Sequence, residues 1–492
     1  MYKSVKRAIG SPRGSRAYHL RVPAGTRYRC PMAKGYLDIE DDIAAIATAP
    51  GTAALAVVRV AGPGSVERAA RAFSRPDALK SLGGYRAAYG KLVDPDGRAV
   101  DEVVALVFRG PVSYTGQDGV DLMCHGGRAT TDGALSALEA VGFRRALPGE
   151  FTFRAFYNGK LDLARAEAVG ELVAARTAAS RADAFSRLSG GLSRELAAIK
   201  ASLVRIAAAF ALRLDYGEDE APEDIVDELP ALRAAREACL ALTDSYAVGR
   251  ALLDGSVVAL AGAVNAGKSS LFNRLLKDER AIVSSQPGTT RDYLEAELDL
   301  GGLPVRLVDT AGVRDSADPI ELEGVRRSKL VAGGADAVVY VVDATTGLRP
   351  DDLAFVEANP ATIRAWNKID AAGATKAPAG WISVSAETGD GEAALVAAIR
   401  GVLLGGGASD GSALASGAAP LWARIGTARH REALLRAAAS LDDAAAAVEA
   451  GEPVDMAAVD VAAAIEALGE ITGETTSEDV LESLFSNFCV GK

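Results

Sequence analysis

The chain has 492 residues, 49% of them hydrophobic and 24% charged, with a formal net charge of −11. That composition excludes a disordered or collagen-like protein and, at roughly 150 residues per domain, predicts about three globular domains. The acidic balance argues against a general polyanion-binding surface, although a local basic groove for RNA is compatible with it; four scattered cysteines without a C-x-x-C pair and three histidines argue against a disulfide framework or a zinc site.

No apolar run approaches the ~20 residues that span a bilayer, so no membrane association is expected and a cytoplasmic location is the default. Residues 1–31 carry Lys3, Lys6, Arg7, Arg13, Arg16, Arg21, Arg27 and Arg29, no acid, and no apolar signal-peptide core. A transit peptide or an RNA-binding arm is one reading. The preferred expectation is a start at Met32, with the upstream piece disordered or not native.

From Ile43 the pattern is that of strands: AIATA, then Pro50-Gly51, then ALAVVRV ending at Val60, and later EVVALVF at 102–108. With the helical stretches between them these predict an α/β domain over 32–153. Its polar clusters, PVSYTGQD at 111–118, HGG at 125–127 and LPGEFTFRAFYNGKLDL at 147–163, lack helical periodicity and are expected as loops. Such clusters suit a small polar ligand, but ordinary surface loops look the same.

Residues 154–253 are expected to form the first part of a helical domain, the sequence being mainly helical from Asp162 to Leu253. Leu188, Leu192, Leu196, Ile199, Leu203, Ile206, Phe210 and Leu214 recur every three or four residues, the stripe of one long amphipathic helix facing a bundle core. A second helical block, 403–492, follows an α/β stretch at 254–402. Two helical blocks around one α/β module predict a bundle interrupted by an insertion.

The insertion opens with SVVALAGAVNAGKSSLFN: an apolar strand, a small-residue loop, then helix formers. Gly262 to Ser269 fits G-x-x-x-x-G-K-[ST], a loop whose N–H groups wrap phosphate while Lys268 adds charge and the Ser269 hydroxyl binds Mg²⁺. Asn265, Ala266, Gly267 and Ser270 complete the candidate nucleotide contacts here. Downstream lies SSQPGTTRD, with Ser284, Ser285, Gln286, Pro287, Gly288, Thr289 and Thr290, of which Thr290 suits Mg²⁺. Strands at 293–300 and 303–308 join through Gly301-Gly302, a hairpin signal. Then come Asp309, Thr310, Ala311 and Gly312 (DTAG), Asn367, Lys368 and Asp370 (N-K-x-D), and Ser385-Ala386 after a last strand. A carboxylate at Asp370 accepts from N1–H and the 2-amino group of guanine, which adenine does not offer. Each motif alone is an ordinary turn or cap; together, in this order, they predict a GTP-binding domain.

The residue after DTAG is Val313, where Ras-type proteins hold a water-orienting glutamine. Asp315, Asp318, Glu321 and Glu323 are the candidate replacements. Asn265 could donate a carbonyl oxygen to a monovalent cation beside the phosphates, an idea that the residues by themselves do not carry.

Residues 38–492 resemble the bacterial MnmE (TrmE) family of tRNA modification GTPases. The resemblance rests on DDIAAIATAPG, VVRVAGP, SYTGQD with HGG, LPGEFTFRAFYNGKLDLARAEAV, AGAVNAGKSSLFN, PGTTRD, DTAG, NKID and the closing FCVGK. It implies a multidomain α/β plus α protein: an N-terminal domain that binds a 5-formyl-tetrahydrofolate-type cofactor and dimerises, and a helical domain interrupted by a Ras-like P-loop GTPase domain. With the flavin-dependent partner MnmG (GidA), in a heterotetramer-type complex, such proteins add an aminomethyl or carboxymethylaminomethyl group to C5 of the wobble uridine of certain tRNAs. Position by position, it implies folate contacts at Arg59, Asp121, Lys160 and Lys492, Mg²⁺ at Ser269 and Thr290, and K⁺ at Asn265, Ser284, Gln286 and Thr289. It makes Glu321 the water-orienting glutamate and Cys489 the terminal cysteine, whose chemistry does not follow from the sequence.

Asp121 stands where the family has glutamate, one methylene shorter; Val264 replaces a proline, Val490 an isoleucine and Ser284 a threonine. The rival reading is a ribosome-assembly or translation-associated GTPase, which requires neither the N-terminal module nor FCVGK. A folate-binding scaffold with a vestigial GTPase domain is disfavoured because the nucleotide motifs are intact.

Overall fold

The computed structural model describes residues 36, 39–216, 228–277, 294–309, 334–405 and 423–492. Contacts divide the chain into two units, one comprising residues up to 161 together with 479–492, the other residues 162–478.

In the first unit, β1 (Ile43–Ile46), β2 (Ala53–Ala61), β3 (Arg86–Val93), β4 (Ala99–Phe108), β5 (Gly119–Gly126) and β6 (Arg144–Arg145) form a six-stranded sheet of order β3-β4-β5-β2-β1-β6. Only the β1–β6 pair is parallel. Val58 and Val60 of β2, Val103 and Val107 of β4, and Leu122 of β5 alternate onto one buried face. Helices α1 (Ser65–Ala69), α2 (Pro76–Lys80) and α3 (Arg128–Ala140) supply Val66, Leu79, Leu135 and Leu138 to the same core.

The stretch expected as a loop at 147–163 contains a helix, α4 (Glu150–Tyr157). Its periodicity is hidden because polar residues are buried along with apolar ones: Glu150 and Arg154 are both 0% exposed, paired one turn apart at 2.9 Å. Arg144 also bonds Glu150, and Arg154 bonds Gln117 Oε1 and the Asp41 carbonyl. Burial works against the charge on Arg154, offset in part by Glu150, and the bond to Gln117 ties the helix to loop 111–118.

The second unit opens with the helices α5 (Leu163–Ala174), α6 (Ala178–Leu188), α7 (Gly191–Tyr216), α8 (Glu228–Asp244) and α9 (Tyr246–Leu253). The predicted long helix is broken: Gly190 has φ +82, so Leu188 closes α6 and the stripe proper runs from Leu192 to Phe210 on α7, while Leu214 is 46% exposed. The buried stripe packs on Cys239 of α8 and on Leu434, Leu441, Val461 and Leu468 of α13 (Ala428–Ala450) and α14 (Val454–Thr472). Each such apolar side chain contributes about 1.5–3 kcal/mol of burial.

Between α9 and α13 lies the insertion. Strands β7 (Ser256–Gly262), β8 (Leu294–Leu300), β9 (Leu303–Asp309), β10 (Ala337–Asp343), β11 (Ile363–Asn367) and β12 (Ile382–Ser383) form a sheet of order β12-β11-β10-β7-β9-β8. All pairs are parallel except the β8–β9 hairpin. Gly301 and Gly302 have φ +62 and +99, the signs a type I′ turn demands. Helices α10 (Lys268–Lys277), α11 (Pro350–Ala358) and α12 (Glu392–Leu403) pack on the sheet, giving the doubly covered architecture of a Ras-like domain.

The final helix, α15 (Glu478–Ser486), departs from the expected assignment of 403–492 to the bundle, since residues 479–492 join the first unit. Phe485 is fully buried among Tyr36, Phe153, Phe156 and Phe488. Val490 bridges Pro148, and Gly491 has φ +91 where a Cβ would lie 2.8 Å from the Ile46 carbonyl.

Candidate functional site

At the centre of the second sheet, β7 ends at Gly262 and the Gly-rich loop leads into α10. Gly262 has φ +137, and a Cβ there would sit 2.2 Å from the Val341 carbonyl; at Gly267 a Cβ would sit 2.2 Å from Asn367 Nδ2. Only glycine lets this loop pass so close to its neighbours. Asn265 adopts φ +66 without being glycine. Lys268 is 6% exposed and donates to the Gly262 and Ala263 carbonyls at 3.0 and 2.8 Å. Burial lowers its pKa, against the attraction of Asp309.

The Ser269 hydroxyl donates to Asp309 Oδ2 at 2.7 Å. A hydroxyl and a carboxylate adjoining a phosphate-shaped loop are hard oxygen ligands suited to Mg²⁺. Among the described residues no group of three or more His, Cys, Asp or Glu forms a metal cluster. Ser284, Ser285, Gln286, Pro287, Gly288, Thr289, Thr290, Thr310, Ala311, Gly312 and Glu321 lie outside the described residues.

The N-K-x-D set closes the other side. Asn367, fully buried, donates to the Ala266 carbonyl at 3.0 Å and accepts from the Ala386 N–H at 3.1 Å. Lys368, with φ +63, donates to the Asn265 carbonyl at 2.8 Å and to Asp343 Oδ2 at 2.7 Å. Asp370 Oδ1 accepts from the Ser385 hydroxyl, which is itself held by the N–H groups of Glu387 and Thr388. The site therefore gathers Asn265, Ala266, Gly267, Lys268, Ser269, Asp309, Asn367, Lys368, Asp370, Ser385 and Ala386. Asp343 was not singled out from the sequence, although its position at the end of VVYVVDA marks a strand terminus. Burial works against its ionised form, but hydrogen bonds from Lys368 and Thr345 hold its carboxyl below the usual range.

A second site lies in the first unit. Arg59 on β2 faces Asp121 on β5 across the ladder, and the pair forms a two-pronged bridge, Nε to Oδ1 and Nη2 to Oδ2, both 2.9 Å. The bridge raises the Arg59 pKa. Both residues line a small, open pocket with Phe108, Tyr114, Thr115, Gln117 and Phe151. Tyr114 and Thr152 share a hydrogen bond at 2.9 Å. Aromatic walls and a guanidinium whose Nη1 takes no part in the bridge fit a flat heteroaromatic ligand with hydrogen-bonding edges. Lys160 and Lys492 are not in the pocket wall. Lys160 Nζ bonds the Pro111 carbonyl at 2.9 Å, and the Lys492 carbonyl accepts from the N–H of Phe151, a wall residue. The exposed Cys489 belongs to this tail, its carbonyl accepting from Gly149.

Two family models match the chain: "MnmE helical domain" over residues 163–489 and "GTP-binding protein TrmE N-terminus" over residues 42–160. The chain is 40% identical over 467 residues to the tRNA modification GTPase MnmE of Chloroflexus aurantiacus, covering 92% of this chain and 100% of that one. It is 42% identical over 475 residues to the tRNA modification GTPase MnmE of Roseiflexus sp., covering 92% and 99%. Among solved structures, the G domain of the T. maritima FeoB iron transporter matches 30% of this chain and 98% of its own, at 28% identity and a TM-score of 0.23. Domain models for both the N-terminal and the helical parts, with relatives matched over nearly their whole length, place the protein: the chain belongs to the MnmE (TrmE) family of tRNA modification GTPases.

Proposed function

We propose that the protein binds and hydrolyses GTP and, with a flavin-dependent partner of the MnmG kind, modifies C5 of the wobble uridine in certain tRNAs, adding an aminomethyl or carboxymethylaminomethyl group. The observation that carries this reading is the presence, in one chain of this family, of both the nucleotide loop joined to the N-K-x-D set and the Arg59–Asp121 pocket.

In the nucleotide site, the loop N–H groups and Lys268 hold the phosphates, and Asp370 reads the guanine edge while Asn367 and Ser385 hold it in place. Ser269, with Thr290, would hold Mg²⁺, which when bound neutralises charge on the β- and γ-phosphate oxygens. Asn265, with Ser284, Gln286 and Thr289, would hold K⁺ beside the same phosphates. Glu321 orients the attacking water, replacing the glutamine that Val313 displaces. In the first unit, Arg59 and Asp121 bind a one-carbon folate of the 5-formyl-tetrahydrofolate type, whose role is to supply a one-carbon unit. Lys160 and Lys492 act from the loop and the tail. The protein works as a cytoplasmic homodimer, paired through its first unit. Among the described residues no helix is long and apolar enough to cross a membrane.

The test is mass spectrometry of nucleosides from total tRNA of cells with and without this chain. The expected result is loss of 5-aminomethyl-type wobble uridines, restored by the wild type and not by Cys489→Ser. An unchanged profile would overturn the modification reading in favour of a ribosome-linked GTPase.

A further inference from the structure

The β8–β9 hairpin is held at both ends. At one end Asp309, the last residue of β9, accepts from Ser269 beside the Gly-rich loop. At the other, the turn meets the loop between α5 and α6. The Thr177 hydroxyl donates to the Gly302 carbonyl at 2.7 Å, and Arg176 Nη1 bridges Glu297 Oε1 at 2.9 Å. Thr177 is also the N-cap of α6, its hydroxyl oxygen accepting from the Ser180 N–H at 3.1 Å. One side chain thus ties the hairpin turn of the inserted domain to the first turn of a bundle helix.

Beyond that turn, α6 enters a buried ionic cluster. Arg187, 3% exposed, donates to Glu171 Oε2 at 2.8 Å, to Asp183 and to the Arg424 carbonyl at 3.3 Å. The neighbouring Ile425 N–H bonds Ser245 Oγ at the start of α9, so the cluster lies where the chain leaves for the insertion and returns from it. The cluster is incompletely matched: Asp183 Oδ1 is buried without a hydrogen-bond partner, beside a small void lined by Glu171, Ser180, Asp183, Leu252 and Leu253. An unmet buried acceptor beside a polar-lined void leaves room for a water or a side-chain shift to complete the cluster.

We propose that the hairpin is a lever: the state of the nucleotide, felt at Asp309, moves the hairpin turn, and Thr177 and Arg176 pass that movement to α6 and its ionic cluster. The helical unit thereby senses whether GTP or GDP is bound. The lever rests on the GTP reading proposed above. Thr177 and Arg176 act as positioning residues, remote from the phosphates.

The experiment is hydrogen exchange of residues 178–188 in the full-length chain, with GDP and with a non-hydrolysable GTP analogue, saturation being verified by titration with fluorescent forms of both. In the wild type, α6 exchange should differ between the two nucleotides. Thr177→Asp keeps an N-cap acceptor but has no proton for Gly302, and should abolish the difference while leaving both affinities unchanged. Thr177→Ser keeps the hydroxyl and should preserve the difference. Binding of neither nucleotide would overturn the GTP reading and the lever with it. Tight binding with identical α6 exchange in the wild type, or a difference surviving in Thr177→Asp, would overturn the lever alone.

Discussion

Asn367 Nδ2 donates to the main-chain carbonyl of Ala266 at 3.0 Å, so the end of β11 is tied directly to the Gly-rich loop. The same side chain, itself fully buried, accepts from the Ala386 N–H. Asn367→Ala leaves a carbonyl and an N–H without their partners, a loss of about 1–3 kcal/mol. The expected result in denaturant unfolding is that destabilisation, with guanine-nucleotide affinity at least about tenfold weaker, as 1.4 kcal/mol converts to a factor of ten. Wild-type affinity in this variant would disconnect the two loops.

Arg59 grips Asp121 with two parallel bonds, a geometry a lysine ammonium does not reproduce. Arg59→Lys is expected to weaken binding of 5-formyl-tetrahydrofolate by about tenfold in calorimetric titration. Unchanged binding would remove the Arg59–Asp121 bridge from the ligand site.

The nucleotide site was legible in the sequence wherever its chemistry depends on short contiguous runs. GAVNAGKS and NKID each follow a strand end, where backbone geometry alone fixes side-chain direction. Helix α4 was not legible, because Glu150 and Arg154 are buried against each other and against Arg144 and Gln117, so polarity gave no face to follow. The seat of the tail was hidden for another reason: nothing local to Phe485 says that Phe153 and Tyr36 will enclose it. Asp343 was overlooked since its partner Lys368 lies just past the end of the next strand, a relation that pairing of β10 with β11 creates.

Asp343 also predicts a pH dependence. An unfolded aspartate titrates near 3.8, and in the folded chain the carboxyl sits lower, burial being outweighed by the bonds from Lys368 and Thr345. A depressed folded value means that the ionised group's stabilisation is present above about 3.8 and lost as pH falls through the folded value. Asp343→Asn is expected to cost about 1–2 kcal/mol at neutral pH, with the gap to wild type narrowing on acidification below the unfolded value. A gap independent of pH would show that Lys368 does not engage an ionised Asp343.

Phe485 anchors the tail. Phe485→Ala removes a fully buried ring from a four-residue aromatic surround, a loss of about 3–5 kcal/mol. The expected outcome is release of residues 479–492, seen as rapid proteolysis and fast amide exchange confined to that segment. Wild-type protection there would mean that Val490 and Gly491 suffice to seat it.

Because residues 479–492 complete the first unit, the domain synthesised first is among the last to be finished. At ribosomal speeds of about 5–20 residues per second, its sheet waits roughly tens of seconds, with Phe153 and Tyr36 uncovered, while residues 162–478 are made. Nascent chains therefore pass through an interval in which the Arg59 pocket lacks the backbone bond from the Phe151 N–H to the Lys492 carbonyl. Messages truncated before the codon for Phe485 would yield proteins with a whole nucleotide domain and an unfinished first domain, recognisable to proteases by that exposed aromatic seat.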